Sequence, residues 1–163
     1  MAEKAKIVWR NDLETGIKLI DNQHKQFFRL VNKILDSSIK QEDSKTLMDS
    51  FIFLKYYILD HFSVEEASMI EYKYSCFLQH KERHLYFRKE IERLESSLKA
   101  NTPSNEVAIK LEYLVINWFM NHIKVEDKQL CRYLLTEVKD DNQKLLGRLK
   151  EIVKGFFKPK GNP

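Results

Sequence analysis

Helical periodicity that is almost never interrupted is the feature that most constrains this chain. Gly occurs 4 times and Pro 3 times in 163 residues, and both residues disfavour the interior of a helix. Apolar residues recur every three or four positions, which is the spacing of one helix face. This pattern predicts helices over about 18–38, 44–72, 77–99, 103–124 and 141–157.

The segments between these predicted helices are short. Residues 37–44 are polar, and residues 72–76 predict a turn. The clearest break is at 100–105, where we expect Thr102 to cap a helix whose first residue is Pro103. Four long helices with short connections predict an all-α fold, an up-down-up-down four-helix bundle with an additional C-terminal amphipathic helix. Residues 1–16 are predicted to be irregular and anchored by Ile7 and Trp9.

Composition and charge exclude several classes of protein. Apolar residues make up 43% of the chain, which is enough for a core, but no apolar run is long enough to cross a bilayer. The N-terminus lacks the apolar stretch of a signal peptide, so we expect a cytoplasmic protein with Cys76 and Cys131 as reduced thiols. Residues 139–163 contain seven Lys/Arg and three Asp/Glu and account for the whole net charge of +4. A neutral body does not favour binding to nucleic acid.

Five histidines lie on or beside the apolar faces of the first four predicted helices. Residues four positions apart project only about 40° from each other on a helix, so His61 and Glu65 share a face, as do His80 and His84. The bundle interior would therefore receive at least one imidazole from each helix. Buried imidazoles need partners, and a metal ion with carboxylates to balance its charge would supply them. The histidines are His24, His61, His80, His84 and His122.

The second carboxylate places a condition on the fourth helix. Asp127 follows His122 by five residues, which is about 140° on a regular α-helix. Both side chains cannot then face one site. We therefore expect the helix to end or to be distorted between these two residues. Glu66 is expected to face solvent, and Asp21 to lie either in solvent or behind the ligands.

The order and spacing of these residues resemble the hemerythrin family, and its bacterial members above all. The pattern consists of His61-x3-Glu65, His80-x3-His84 and His122-x4-Asp127, with His24 upstream in IDNQHKQFFRLVN. VWRNDLETGIKLIDNQH is similar to the family's N-terminal arm, and NWFMNHI to the stretch before its last histidine. The resemblance covers about 7–135. It implies a hemerythrin-like domain over 1–135. We expect residues 136–163 to form a helical extension, which departs from the family's pattern.

The resemblance also implies a cofactor, two iron ions bridged by an oxo or hydroxo group. By position, His80, His84 and His122 would bind one iron. The other would be bound by His24 and His61, and Glu65 and Asp127 would bridge the pair. The second iron would keep an open position for dioxygen, which implies reversible oxygen binding for storage, delivery or scavenging. We expect the oxygen pocket to be lined by Phe27, Phe28, Phe62, Trp118, Phe119 and Ile123.

Other functions remain open from the sequence. The chain is expected to be a binding protein and not an enzyme, but reduction of nitric oxide or peroxide at the same irons is an alternative. So is an oxygen or redox sensor that acts through the C-terminal helix. A ferritin-like oxidase is disfavoured because the chain lacks paired Glu-x-x-His motifs, whereas zinc or a mixed-metal pair is compatible with these ligands.

The C-terminal helix also allows more than one interpretation. It is either a fifth helix packed on the bundle, a dimer contact, or a basic surface for an acidic protein partner or an anionic membrane. The chain is expected to be a monomer or a weak homo-oligomer.

Overall fold

Helices form every long element that was predicted. The computed structural model describes residues 6–40, 43–100, 102–136 and 142–157. The helices are α1 (Lys18–Ile39), α2 (Ser44–Glu71), α3 (Phe77–Lys99), α4 (104–136) and α5 (Asn142–Phe156). Each of the first four packs against the next, and α4 packs back against α1. With such short connections, this ring is the predicted up-down-up-down bundle, and the all-α fold is confirmed. The predicted features at 1–5, 41–42, 101, 137–141 and 158–163 lie outside the described residues.

Helix α4 is longer and less regular than the sequence predicted. It continues past residue 124 to Thr136 and contains two π-helical segments, Val115–Phe119 and Ile123–Asp127. A π-turn accommodates one extra residue, so the apolar face changes phase there and then resumes with Leu130 and Leu134. Because of that change of phase, the apolar pattern predicted that the helix ends at about 124, and this prediction is wrong. The expected distortion between His122 and Asp127 is confirmed.

The ends of the helices are capped in different ways. Asp43 caps α2, since its side chain accepts hydrogen bonds from the backbone N–H groups of Lys45 and Thr46, each at 3.0 Å. The prediction that Thr102 caps α4 is wrong by one residue: Pro103 is the N-cap, and its carbonyl accepts from Glu106 N–H at 3.0 Å. Thr102 lies outside α4, and its backbone N–H donates to the Ser97 carbonyl at the end of α3 at 3.0 Å.

Two apolar cores occupy the two ends of the bundle. The first is formed by the C-terminal half of α1, the N-terminal parts of α2 and α4, and the C-terminal half of α3. Ile7 is buried in this core and Trp9 packs against it, so both predicted anchors are confirmed. The second core combines the start of α1, the end of α2, the end of α4 and α5. The histidines lie in the layer between the two cores.

Helix α5 is a fifth helix packed on the bundle. Leu145 and Leu149 are buried in the second core, and the helix contacts α2. The Arg148 guanidinium donates to the Glu71 carboxylate at 3.0 Å, and the Phe157 ring lies 5.2 Å from the Tyr57 ring. No helix in the described part of the chain is long and apolar enough to cross a membrane.

The buried Glu95 carboxylate ties α2 to α3 and gives the fold a specific pH dependence. Lys55 and Lys99 each donate to it at 2.6 Å, with Lys55 the larger cause of the lowered pKa of Glu95. A lowered carboxyl pKa adds stability that is present above the unfolded value of about 4.5 and is lost as the pH falls through the folded value.

We therefore expect Glu95→Gln to destabilise the protein at pH 7. The difference from wild type should shrink as the pH falls below about 4.5, because the wild-type carboxylate is then neutral too. Urea unfolding over this pH range measures it, with the exposed Glu82→Gln as control. A difference that did not change with pH would contradict this role of Glu95.

Candidate metal centre

Seven ionisable side chains from four helices meet in the layer between the two cores. None of these residues is more than 2% exposed. Helix α1 contributes one histidine, α2 a histidine and a glutamate, α3 two histidines, and α4 a histidine and an aspartate. They are His24, His61, Glu65, His80, His84, His122 and Asp127. The structure therefore brings together all seven residues that the sequence singled out as metal ligands.

Each helix presents its residues by a simple local rule. The four-residue spacings in α2 and α3 put His61 with Glu65, and His80 with His84, on one helix face. In α4 the π-turn Ile123–Asp127 takes up the fifth residue. As a result, the Asp127 carboxylate oxygen Oδ1 lies 3.0 Å from Nε2 of His122.

The Glu65 carboxylate lies between two groups of histidines. Its Oε2 is 3.1 Å from Nε2 of His84 and 3.7 Å from Nε2 of His80. Its Oε1 faces the other way and is 3.5 Å from Nε2 of His61. One oxygen of Glu65 is thus directed to each group.

Asp127 divides its oxygens in the same way. Oδ1 is close to Nε2 of His80, at 3.2 Å, and to His122, whereas Oδ2 is 3.1 Å from Nε2 of His24. We call His80, His84 and His122 the three-histidine half-site, and His24 and His61 the two-histidine half-site. With both carboxylates included, the first has five ligand atoms within 4.8 Å of one another and the second has four.

Most donor atoms at the centre lack hydrogen-bond partners, although Nε2 of His24 and Nε2 of His61 lie within hydrogen-bond distance of each other at 3.1 Å. Within the described residues, no hydrogen bond satisfies Nε2 of the three-histidine half-site's His80, His84 and His122, or either oxygen of Glu65 and Asp127. Buried polar groups are normally paired, because leaving them unpaired costs free energy. Cations between the imidazoles and the carboxylates would satisfy these atoms, so the donor set fits a metal centre.

Burial and charge act on the centre in opposite directions. Burial, with the neighbouring His24, lowers the pKa of His61, and burial with His122 lowers that of His84. These two imidazoles are therefore neutral, which is the form that binds a metal. Burial also disfavours charge on His80 and His122, but nearby carboxylates, Asp127 foremost, outweigh it and raise their pKa to about 10 and about 9. The carboxylates thus draw positive charge into a dry site.

The outward-facing histidine nitrogens revealed partners that the sequence analysis missed. Glu66, expected in solvent, instead accepts from Nδ1 of His84 at 3.0 Å, so that prediction was wrong. Helix rotation within the bundle turns Glu66 toward α3, and no pattern in α2 alone indicates this. Glu126 lies 3.3 Å from Nδ1 of His122, a contact that their four-residue spacing already signalled. Gln23, directly before His24, accepts from Nδ1 of His61 at 2.9 Å.

Asp21 proved to be neither in solvent nor behind a ligand. It is buried, and its Oδ1 accepts from both the N–H and the hydroxyl of Thr15 at 2.9 Å. These bonds tether the N-terminal arm to α1.

The predicted pocket side chains divide between the two half-sites. The Phe119 ring is 5.8 Å from His24 and 4.4 Å from Phe27, and Phe28 lies 6.1 Å from Phe119. Trp9, which the sequence had marked only as an anchor, stacks on His24 at 6.2 Å.

Two other members of the predicted pocket contact the three-histidine half-site. Phe62 stacks on His84 at 3.9 Å, and Trp118 stacks on His122 at 4.6 Å. Ile123 is buried in the first core.

Fold and site together define a class, the helical bundles that enclose a histidine-rich cation-binding centre. A family model described as the hemerythrin HHE cation binding domain matches residues 15–134. The chain belongs to the hemerythrin family.

Curated relatives support this assignment. A bacteriohemerythrin of Pseudomonas aeruginosa is 31% identical over 157 residues, covering 94% of this chain and 99% of that protein. One from Clostridium acetobutylicum is 29% identical over 125 residues, covering 75% of this chain and 96% of its own length. A coverage of 94% must include residues beyond 136, so the Pseudomonas relative shares at least part of the C-terminal extension.

Proposed function

We propose that this chain is a non-heme di-iron protein that binds dioxygen reversibly and serves in oxygen storage, delivery or scavenging. The observation that carries the proposal is the division of Glu65 and Asp127, each of which directs one oxygen to each half-site. Carboxylates placed in this way are suited to bridge two metal ions. Membership of the hemerythrin family supports iron as the metal.

The roles of the ligands follow from the two half-sites. His80, His84 and His122 would hold one iron, and His24 and His61 the other, with Glu65, Asp127 and an oxo or hydroxo group as bridges. The two-histidine half-site has one ligand fewer, which leaves room for an exogenous molecule. When bound, a ferrous pair supplies two electrons and an open coordination position, which is the chemistry that dioxygen binding requires.

The surroundings of the two-histidine half-site favour binding over turnover. Phe119 lies 5.8 Å from His24, Phe27 and Phe28 pack against Phe119, and all three are buried. We propose that they keep water and protons away from the bound oxygen. All five histidines of the chain belong to the centre, so no further histidine is available as a general acid. We place the oxygen-binding domain at 1–135 and the extension at 136–163. The cytoplasmic location and the oligomeric state stay predictions.

Removing a ligand should remove iron. His84→Ala and Glu65→Ala are expected to hold fewer than two irons per chain after anaerobic reconstitution. The His84→Ala protein should also unfold at lower denaturant concentration, because metal binding is coupled to folding. Iron analysis and urea unfolding measure these effects, and the exposed Glu82→Gln should behave as wild type. A variant that kept two irons and the wild-type spectrum would disprove the assignment of that ligand.

Oxygen binding has an optical test. We would reduce the iron-loaded protein anaerobically, admit oxygen and then remove it. A ligand-to-iron charge-transfer band should appear with oxygen and bleach when the oxygen is withdrawn. A direct, irreversible change to the diferric spectrum would contradict reversible binding and favour an enzymatic role.

A contact path to α5 favours a sensor as the second candidate. Phe157 packs on Tyr57, whose hydroxyl donates to the backbone carbonyl of Gln23 at 3.1 Å. The side chain of Gln23 in turn accepts from the proposed ligand His61. A change at the irons that moved His61 would therefore alter the packing of Phe157 at the end of α5, through Gln23 and Tyr57.

The sensor makes its own prediction. Amide hydrogen exchange in 142–157 should differ between the reduced and the oxidised iron-loaded protein. The start of α2 at 44–49, about two helical turns before Tyr57, should not change. Equal exchange of α5 in both states would argue against a sensor that acts through this helix.

A further inference from the structure

The two half-sites differ in the groups that lie behind their histidines, that is, near Nδ1, the ring nitrogen that faces away from the centre. From this difference we propose that Gln23, Glu66 and Glu126 are positioning residues that set the order of metal binding. The three-histidine half-site, backed by carboxylates, binds its metal first and more tightly. The two-histidine half-site, backed by a neutral amide, binds second. This inference rests on the proposed metal centre but concerns residues outside the ligand set.

His84 has the most complete support. Its Nδ1 donates to Oε1 of Glu66 at 3.0 Å, and Arg88 donates to the same oxygen at 2.9 Å. Phe62 lies parallel to the imidazole, with 3.9 Å between ring centroids and 11° between the planes. The carboxylate thus orients the ring edge and the phenyl group its face, while Arg88 holds the carboxylate in place.

His122 has a similar set of neighbours, but a looser contact with its carboxylate. Nδ1 lies 3.3 Å from Oε2 of Glu126, and Arg83 approaches the other oxygen of that carboxylate at 3.4 Å. Trp118 stacks on the imidazole at 4.6 Å and 12°. Two of the three histidines in this half-site therefore have a carboxylate near Nδ1: His84 through a hydrogen bond, and His122 through an ion-pair contact at 3.3 Å. Nδ1 of His122, like Nδ1 of His80, makes no hydrogen bond among the described residues.

The two-histidine half-site has no anion behind either ring in the described part of the structure. Nδ1 of His61 donates to the Gln23 amide oxygen at 2.9 Å. Gln23 is buried, and its backbone is held by the Tyr57 hydroxyl. Nδ1 of His24 is buried without a hydrogen-bond partner. The ring of His24 is held by packing against Trp9 and Phe119.

Charge behind an imidazole changes how well it binds a cation. A carboxylate that accepts the Nδ1 proton increases electron density on Nε2 and adds a negative charge close to the metal. An amide oxygen orients the ring equally well but adds no charge. Loss of such an outer partner commonly lowers metal affinity by about 10–100-fold. The contrast between glutamates and glutamine thus acts in the same direction as the difference in ligand number.

The test is a cobalt(II) titration of the metal-free full-length chain, followed by visible absorption and by competition with a chelator. Wild type should bind two ions in two resolved steps. Glu66→Gln should weaken the first step by about 10–100-fold and leave the second nearly unchanged. Gln23→Glu should strengthen the second step and bring the two cobalt affinities closer together. Misfolding could not produce such an increase in affinity. Glu82→Gln, which removes an exposed charge from the same helix as His84, should change neither step.

A ligand variant identifies the steps. His61→Ala should abolish the weaker step and retain the tighter one. The inference is overturned if wild type binds two ions with equal affinity, if His61→Ala abolishes the tighter step, or if Gln23→Glu leaves the second step unchanged. A wild-type chain that binds no cobalt would instead overturn the proposed metal centre itself.

Discussion

The structure depends above all on the burial of seven ionisable side chains between two apolar cores. Imidazoles and carboxylates are costly to remove from water unless they are paired. Here oppositely charged or polar atoms lie 3.0–3.7 Å from one another, but many of the inward atoms make no hydrogen bond with any described residue. A bundle without polar residues in this layer would pack more simply. That the chain instead converges four helices on one polar layer is the physical basis for the proposed metal centre.

The irregularity of α4 serves this layer. A regular α-helix would turn Asp127 away from His122 by about 140°, whereas the π-turn Ile123–Asp127 brings both to the centre. π-turns are often found at functional sites because they sacrifice regular hydrogen bonding to aim a side chain. The N-terminal arm closes over the same segment, since Lys124 pairs with Asp12 at 2.8 Å and Lys128 donates to the Asp12 carbonyl at 2.7 Å. The distorted part of α4 is thereby held from outside.

The centre is asymmetric at two levels. The two half-sites differ in ligand number, with three histidines in one and two in the other. They also differ in the residues near the outward-facing histidine nitrogens, which are glutamates in the first half-site and a glutamine in the second. Both differences would favour tight binding on one side and a more weakly held metal with fewer ligands on the other, which would suit the proposed binding of a small molecule at one metal only. The weaker side is also the one in contact, through Gln23 and Tyr57, with the end of α5.

Much of the fold and the ligand set follows from the sequence by itself, because both depend on spacing along single helices. Periodicity located α1, α2, α3 and α5 to within a residue, and the four-residue spacings paired His61 with Glu65 and His80 with His84. The sequence also predicted the distortion of α4, from the angle between His122 and Asp127 on a regular helix. It did not predict the form of the distortion, which is a π-turn inside a continuing helix. Only the tertiary structure decided that Glu66 faces His84, that Gln23 supports His61, and that α5 covers α2. These contacts join different helices, and they depend on how each helix is rotated about its axis in the packed bundle, which no single-helix pattern specifies.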